Sequence, residues 1–541
     1  MRRTRFLNAF LFIISVFFFS YIFYIQCLQH PYYREKAKNQ HEKKIILLGS
    51  RGNIYDRNGL PLATSQQCFS IFCTPRYTPN KGRLAQNIAR LAGKSVRDVR
   101  RLIEKGVFFW VEKKVDLEKR DNYLALEDPS IGFTHDLRRQ YNMPEMFKSL
   151  IGTCGSDNRG IEGLELQLDK ALSGKSGFTI YQKDPMGDMF PYPDYPEKDP
   201  EPGQDVYLTI DLQLQAILYT NLSRCMIEQD AAYAAGLIID PRSGEVLALV
   251  NVARNGGQRN HAVCDEFEPG STFKLITLTY GLLNGFKEDD VINTDYGKVT
   301  IRGHVIHDYK NYGVVTFQQA IAHSSNVAMA KLSKEFDYHD FFSLMWDFGL
   351  GQLTSIELPG EVKGRLPDLE KMNNLEFAIL AFGQGLTVNL LQLAFTYQAV
   401  ANRGVLNKPI IVREIREGKR VIQRTHPLRI RRVVDDETAQ RVTNVLCSVV
   451  EEGTGTEAAL GDIRVAGKTG TAQKVVDGAY SNSSIITTFI GYFPAESPDY
   501  LIAIMLDEPK KGLWASSVVA PVFRTVAQRL YQMNSHHYAI K

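Results

Sequence analysis

With 541 residues, 44% of them hydrophobic and 23% charged, the chain is long enough for two or more cored domains. That composition excludes disordered, collagen-like and small disulfide-framework proteins. Its 64 basic and 60 acidic residues leave a net charge of only +4. No strongly basic block stands out, so nucleic acid is not an expected partner.

Arg2, Arg3 and Arg5 precede an uncharged stretch from Phe6 to Gln29. As a helix it would run about 36 Å, enough for a hydrocarbon core of about 30 Å. Its exit, Tyr24 to Gln29, has no small-residue cleavage site, and Gln26 before Cys27 does not suit a lipoprotein signal. We read a retained anchor over residues 6–29 rather than a cleaved signal. The positive-inside rule places residues 1–5 in the cytoplasm and everything beyond residue 30 outside. The seven cysteines contain no C-x-x-C pair, so the common zinc and thioredoxin spacings are missing. Cys68 and Cys73 read as separate buried thiols, with a short bridged loop as the alternative.

Residues 31–182 form an amino-terminal domain in which Arg83 to Lys105 reads as one or two amphipathic helices. Six of the 22 prolines fall within residues 184–203, which predicts a stiff connector. Residues 204–535 then change grammar. Val206 to Ile210 reads as a strand and Leu212 to Met226 as a helix. Gly236 to Ile239 and Val246 to Asn251 flank the turn Asp240-Pro241-Arg242-Ser243-Gly244. A helix-rich middle follows, then strands Ile485 to Tyr492 and Tyr500 to Leu506 around the turn Pro494 to Asp499. A helix from Val519 to Tyr531 closes the domain. Strands at both ends with helices between predict an antiparallel sheet layered with helices, an α/β (α+β) domain.

Three short patterns carry chemistry. In Glu268-Pro269-Gly270-Ser271-Thr272-Phe273-Lys274, Lys274 stands one helical turn beyond Ser271. A lysine neutralised by burial or a nearby cation can take a hydroxyl proton. Alone, the same pattern is more often a helix cap with a solvated lysine. Ser324-Ser325-Asn326 follows a short helix whose capping box is Thr316 and Gln319. A hydroxyl and an amide on one loop can relay a proton and hold a carbonyl, though alone they make an ordinary turn. Gly467-Lys468-Thr469-Gly470-Thr471 mimics the end of a phosphate loop. However, Asp462 stands where that loop needs glycine, so an edge strand is the better reading. On it Lys468, Thr469 and Thr471 can present a cation and hydroxyls to a carboxylate.

S-x-x-K, S-x-N and K-T-G in that order are the set shared by penicillin-binding proteins and serine β-lactamases. The chain resembles the class B penicillin-binding proteins, single-anchor peptidoglycan transpeptidases. Arg51-Gly52-Asn53-Ile54-Tyr55-Asp56-Arg57-Asn58-Gly59 is similar to that family's first amino-domain motif. Gly160-Ile161-Glu162-Gly163-Leu164-Glu165, Leu208-Thr209-Ile210-Asp211, Glu357-Leu358-Pro359-Gly360-Glu361 and Gly383-Gln384-Gly385 are similar to further segments. Two positions depart from the pattern. Arg139-Gln140-Tyr141-Asn142 stands for R-x-Y-P, and Asn389 stands where a threonine is usual.

The resemblance implies a penicillin-binding and serine β-lactamase-like transpeptidase domain on an elongated, dimerisation-like pedestal, with neither metal nor cofactor. Ser271 would attack the D-Ala–D-Ala bond of a stem peptide with Lys274 as base. Ser324 would pass a proton to the leaving group. Asn326 would position the substrate amide, and Lys468, Thr469, Gly470 and Thr471 would bind the substrate's carboxylate end. The backbone N–H groups of Ser271 and Thr471 would form the oxyanion hole. Implied partners are peptidoglycan stem peptides, penicillin and other β-lactams, the membrane, a polytopic glycan polymerase and other division proteins. The implied place is the bacterial inner membrane, single-pass, with the catalytic domain periplasmic. S-x-N and K-T-G are similar to the cell-division type rather than the elongation type, which often carries S-x-D and K-S-G. Two rivals are weaker. A β-lactamase needs a deacylating base, and no E-x-x-L-N lies between the second and third motifs. A catalytically silent divisome scaffold would have lost Ser271 or Lys274, and both are present.

Overall fold

Strands apolar on both faces build the central sheet of the larger unit, seen in a computed structural model that describes residues 2–183, 189–191, 196–476 and 479–539. In chain order its labelled elements are α1 (Leu212–Glu228), β1 (Tyr233–Ile239), β2 (Val246–Ala253), α2 (Lys274–Leu283), α3 (Asn326–Leu332), α4 (Leu390–Ala401), α5 (Asp436–Glu451), β3 (Ala466–Val476), β4 (Ala479–Phe493), β5 (Tyr500–Asp507) and α6 (Ala520–Ala539). The strands pair antiparallel in the order β2-β1-β5-β4-β3, which leaves β3 at an edge.

Leu237 and Ile239 of β1, with Ala503 and Met505 of β5, join a core with Leu275 and Leu278 of α2, Leu391 and Phe395 of α4, and Val442 and Leu446 of α5. The alternate residues Ile238, Ile502 and Ile504 join a second core with Leu214, Leu218 and Leu222 of α1 and Phe523 and Leu530 of α6. This is the two-residue period of a strand buried on both faces. Each such side chain contributes about 1.5–3 kcal/mol over its exposed state. Asp211 and Asp435 cap α1 and α5, accepting from Gln213 N and Leu214 N and from Thr438 N. The expected β1–β2 turn is present, with Gly244 N donating to Asp240 O at 2.9 Å.

The chain divides into two compact units, but not at a single boundary. One comprises residues 1–51, 67–137 and 173–203, the other 52–66, 138–172 and 204–541. The sequence reading placed all of 31–182 in one amino-terminal domain. Residues 52–66 and 138–172 instead bond within the larger unit. Ile54–Tyr55 pairs in parallel with Val206 and Tyr207. Asn53 N donates to Asp205 Oδ1 at 2.7 Å, and Gln215 Nε2 donates to Met146 O at 3.1 Å. Most of the Arg51–Gly59 motif therefore belongs structurally with the larger unit. There Arg57 pairs with Glu245 at 3.2 Å. Both departures from the family pattern are accommodated. Asn142, in the proline position, donates from its backbone N to Leu62 O at 2.8 Å and from Nδ2 to Pro61 O at 2.7 Å, while Arg139 holds Glu165 at 2.7 Å and Gly52 O at 2.7 Å. Asn389 caps α4 by accepting from Gln392 N at 2.7 Å, while its amide donates to Val362 O.

In the smaller unit, Arg3–Leu28 is the one helical segment among the described residues long and apolar enough to cross a membrane. Arg83 to Lys105 resolves into two helices, Lys81–Ala92 and Val96–Glu104, separated at Gly93, whose φ of 63° ends the first. They pack Leu84, Ile88, Val99 and Ile103 against Ile71, Val111 and Tyr123. Cys68 and Cys73 are both buried. Residues 184–188 and 192–195 of the expected connector lie outside the described residues.

Candidate active site

Pro269 and Gly270 shape the turn that presents Ser271. Gly270–Phe273 forms a 3-10 turn, and the α-helix begins only at Lys274. The sequence reading had Ser271 in the first turn of one helix. The turn opens at Gly270, whose φ of 52° an L side chain rarely adopts. Gly270 N donates to Gly383 O at 2.9 Å, and fully buried Tyr397 of α4 donates to Thr272 O at 2.7 Å. On the other side, a Cβ on Gly470 would lie 2.8 Å from Thr272 Cγ2, so only glycine lets β3 approach this closely. The nucleophile turn is thus held from three directions by segments far away in sequence.

Lys274 is fully buried. Its Nζ lies 2.6 Å from Ser324 O, 2.8 Å from Asn326 Oδ1 and 3.1 Å from Ser324 Oγ. A neutral amine has two donors and one lone pair, which fits two carbonyl-type acceptors and one hydroxyl. Burial and then the charge of Lys468 push its pKa well below the usual lysine range, while Asp308 opposes the shift. Lys468 of β3 is also fully buried. Its Nζ reaches the same Ser324 Oγ at 3.0 Å and Thr469 O at 3.3 Å. Burial pushes its pKa down to about 7. Ser324 Oγ therefore bridges two lysine nitrogens delivered from α2 and β3.

Ser324 itself sits at φ 62°, between the helix Phe317–Ala322 and α3. The capping box of Thr316 and Gln319 is present as expected, and Ser325 caps α3 through Ala328 N at 3.0 Å. A cavity of about 310 Å³ opens here, lined among others by Ser271, Ser324, Asn326, Thr469 and Thr471. Five sequence-predicted side chains thus share one cavity. Lys274 and Lys468 meet it through Ser324 rather than lining it. Gly467 to Thr471 lie in β3, so the phosphate-loop reading falls.

Several residues here carried no local signal. Asp308 accepts from Ser325 Oγ at 2.6 Å, Asn326 N at 2.6 Å and Val327 N at 2.9 Å. Thr454 shares a hydrogen bond of 2.7 Å with Thr469 Oγ1. Tyr309 and Trp514, ring centroids 4.9 Å apart, line the cavity with Tyr312 and His323. His323 adjoins Ser324 in the chain, whereas Asp308, Thr454 and the Tyr309–Trp514 pair join the site through contacts between residues distant in sequence, which no spacing rule reaches.

The penicillin binding protein transpeptidase domain matches residues 234–528, and the penicillin-binding protein dimerisation domain matches residues 46–208. The chain is 31% identical to the probable peptidoglycan D,D-transpeptidase PenA of Neisseria meningitidis, over 93% of this chain and 88% of that protein. It is likewise 31% identical to the peptidoglycan D,D-transpeptidase FtsI of Escherichia coli, over 88% of this chain and 82% of that protein. Among solved structures, penicillin binding protein 3 of Mycobacterium tuberculosis in complex with aztreonam superposes with a TM-score of 0.71 at 27% identity. The match covers 91% of this chain and 97% of that one.

Proposed function

The chain belongs to the class B penicillin-binding proteins, the peptidoglycan D,D-transpeptidases, and from that premise we propose a septal role and a role for each site residue. Ser271 Oγ attacks the carbonyl carbon of the penultimate D-Ala while its proton passes to neutral Lys274 Nζ. The proton moves on through Ser324 Oγ to the leaving nitrogen, the C–N bond breaks, and D-Ala departs from an ester on Ser271. The amine of a neighbouring stem peptide then attacks that ester. It loses its proton along the same path, and Ser271 regains its hydroxyl as the cross-link forms. Thr469 and Thr471, which line the cavity, bind the substrate carboxylate. Lys468 acts on it through its charge from behind Ser324. Asn326 orients the substrate amide. β-Lactams acylate Ser271 in the same way.

The observation that carries this reading is Ser324 Oγ at 3.1 Å and 3.0 Å from two buried lysine nitrogens, beside Ser271 in one cavity. The S-x-N and K-T-G forms of the second and third motifs support the septal role over the elongation role. The apolar helix after three arginines supports a single-pass anchor in the inner membrane, with the catalytic unit periplasmic. A membrane-embedded glycan polymerase and other division proteins are the partners this placement implies.

Fluorescent penicillin labelling of the full-length chain in detergent, followed by intact mass spectrometry over hours, tests the chemistry. A persistent adduct on Ser271 is expected. An adduct that forms and hydrolyses quickly would instead mark a β-lactamase, and no adduct on folded protein a scaffold. Depletion of the protein in growing cells tests the role: filaments with unfinished septa support division, and rounded cells support elongation.

A further inference from the structure

We infer that Asp308 is a positioning residue of the transpeptidase site, holding the Ser324–Asn326 loop in its strained shape and supplying the negative charge that faces Lys274. The inference rests on the roles proposed above for Ser271, Lys274 and Ser324.

Asp308 follows the strand His304–His307, and its own N–H donates to Gly297 O at 2.9 Å. Its carboxylate gathers three donors from three consecutive residues, Ser325 Oγ, Asn326 N and Val327 N. Two of these are the first backbone N–H groups of α3, which have no partner inside their own helix. The residue just before them is Ser324, held at φ 62°. A left-handed non-glycine residue persists where its surroundings over-determine it, and Asp308 grips the chain immediately beyond it.

The two carbonyl-type acceptors of Lys274 Nζ, Ser324 O and Asn326 Oδ1, both belong to this gripped loop. Moving the loop moves both, together with the bridging Ser324 Oγ. The charge of Asp308 adds a second effect. The charged groups that act on Lys274 are Lys468 from β3 and Asp308 from its own loop. Tyr312, with its pKa raised by burial and by Asp308, also faces the carboxylate. When Lys274 takes the Ser271 proton, an ammonium forms in a buried place already facing Lys468. Asp308 is the opposite charge that offsets this cost, so removing it lowers the affinity of Lys274 for a proton.

The test measures acylation by a fluorescent penicillin against pH, on the full-length chain in detergent, for wild type, D308N and S325A, with thermal melts of each. D308N keeps an amide oxygen for the Asn326 and Val327 N–H groups but loses the charge. It is expected to melt close to wild type, with the acid limb of its acylation profile about one pH unit lower. Its maximum rate is expected to fall roughly ten- to a hundred-fold, within what a positioned base contributes. S325A keeps the charge but loses two bonds, the one to Asp308 and the α3 cap to Ala328 N, so it is expected to melt lower with the acid limb unmoved. An unmoved limb in D308N, or an equal shift in S325A, overturns the inference. Should D308N fail to fold, D308E decides, because it keeps the charge and displaces the carboxylate by one methylene. A wild-type limb with a lowered maximum supports the inference, and a wild-type maximum overturns it. A wild-type chain that never labels at Ser271 removes the proposed roles and this inference together. Normal wild-type labelling with an unchanged D308N profile removes this inference alone.

Discussion

Two buried basic centres in the larger unit solve the same electrostatic problem in opposite ways. Arg139 is 4% exposed and lies 2.7 Å from Glu165, which is fully buried, with Gly52 O taking a further bond. A guanidinium does not shed its proton in proteins, so it enters the interior with a carboxylate. Lys274 and Lys468 are just as buried, yet their bonds go to a hydroxyl, an amide oxygen and backbone carbonyls. An amine can lose its proton, and burial drives both lysines in that direction. A buried cation held by its carboxylate is structural. A buried amine without a directly bonded carboxylate is poised to exchange protons.

This contrast can be broken experimentally. The largest effect is expected from Ser271→Ala, which should abolish covalent penicillin binding while the thermal melt stays within a degree or two of wild type. Persistent labelling would remove Ser271 from the chemistry.

Next comes Arg139→Ala, which leaves Glu165 buried without its cation. Breaking such a pair costs about 3–5 kcal/mol, so urea unfolding should show a large drop in stability. The fraction that remains folded should still label with penicillin. Unchanged stability would mean that the pair is dispensable.

Lys468→Met should act in the opposite direction, raising the melting temperature while slowing acylation. Lys468 binds its proton with a pKa of about 7 when folded and near 10.4 when unfolded. Between those values the unfolded chain holds more protons, so the Lys468 contribution to stability rises with pH from about 7 to about 10. The substitution should raise stability most below pH 7 and flatten that slope. The lost bond to Ser324, about 1 kcal/mol, is smaller than the penalty removed. A lower melting temperature at pH 6 would contradict the account.

The smallest effect is expected from Arg57→Ala, whose partly buried pair with Glu245 contributes on the order of 1 kcal/mol. Acylation should be spared. A loss of acylation with folding intact would tie this motif to the chemistry.

The local elements were legible in the chain. Apolar runs beside turn residues marked most of β1, β2, β4 and β5, and Thr316 and Gln319 marked a capping box that is present. The order of three short motifs marked the site, and five of its side chains line one cavity. Less legible was the start of the nucleophile helix. Gly270, at φ 52° and packed against Gly383 and β3, opens a 3-10 turn over Gly270–Phe273 before the α-helix begins at Lys274. Nor was it legible that residues 52–66 and 138–172 bond within the larger unit, because the pairing of Ile54 with Val206 and of Gln215 with Met146 joins segments distant in the chain.

By itself the sequence determined the periodicity of the strands, the caps, the apolar amino-terminal helix and the reactive residue types, since these depend on neighbours two to four positions apart. Only the tertiary structure decided that one hydroxyl, Ser324 Oγ, bridges a lysine 50 residues before it and another 144 residues after it. Only the fold, likewise, brought Asp308 beneath the second motif and Thr454 against Thr469. Hydrogen bonds of this kind are set by which buried surfaces meet, and burial is a property of the packed chain rather than of any window along it.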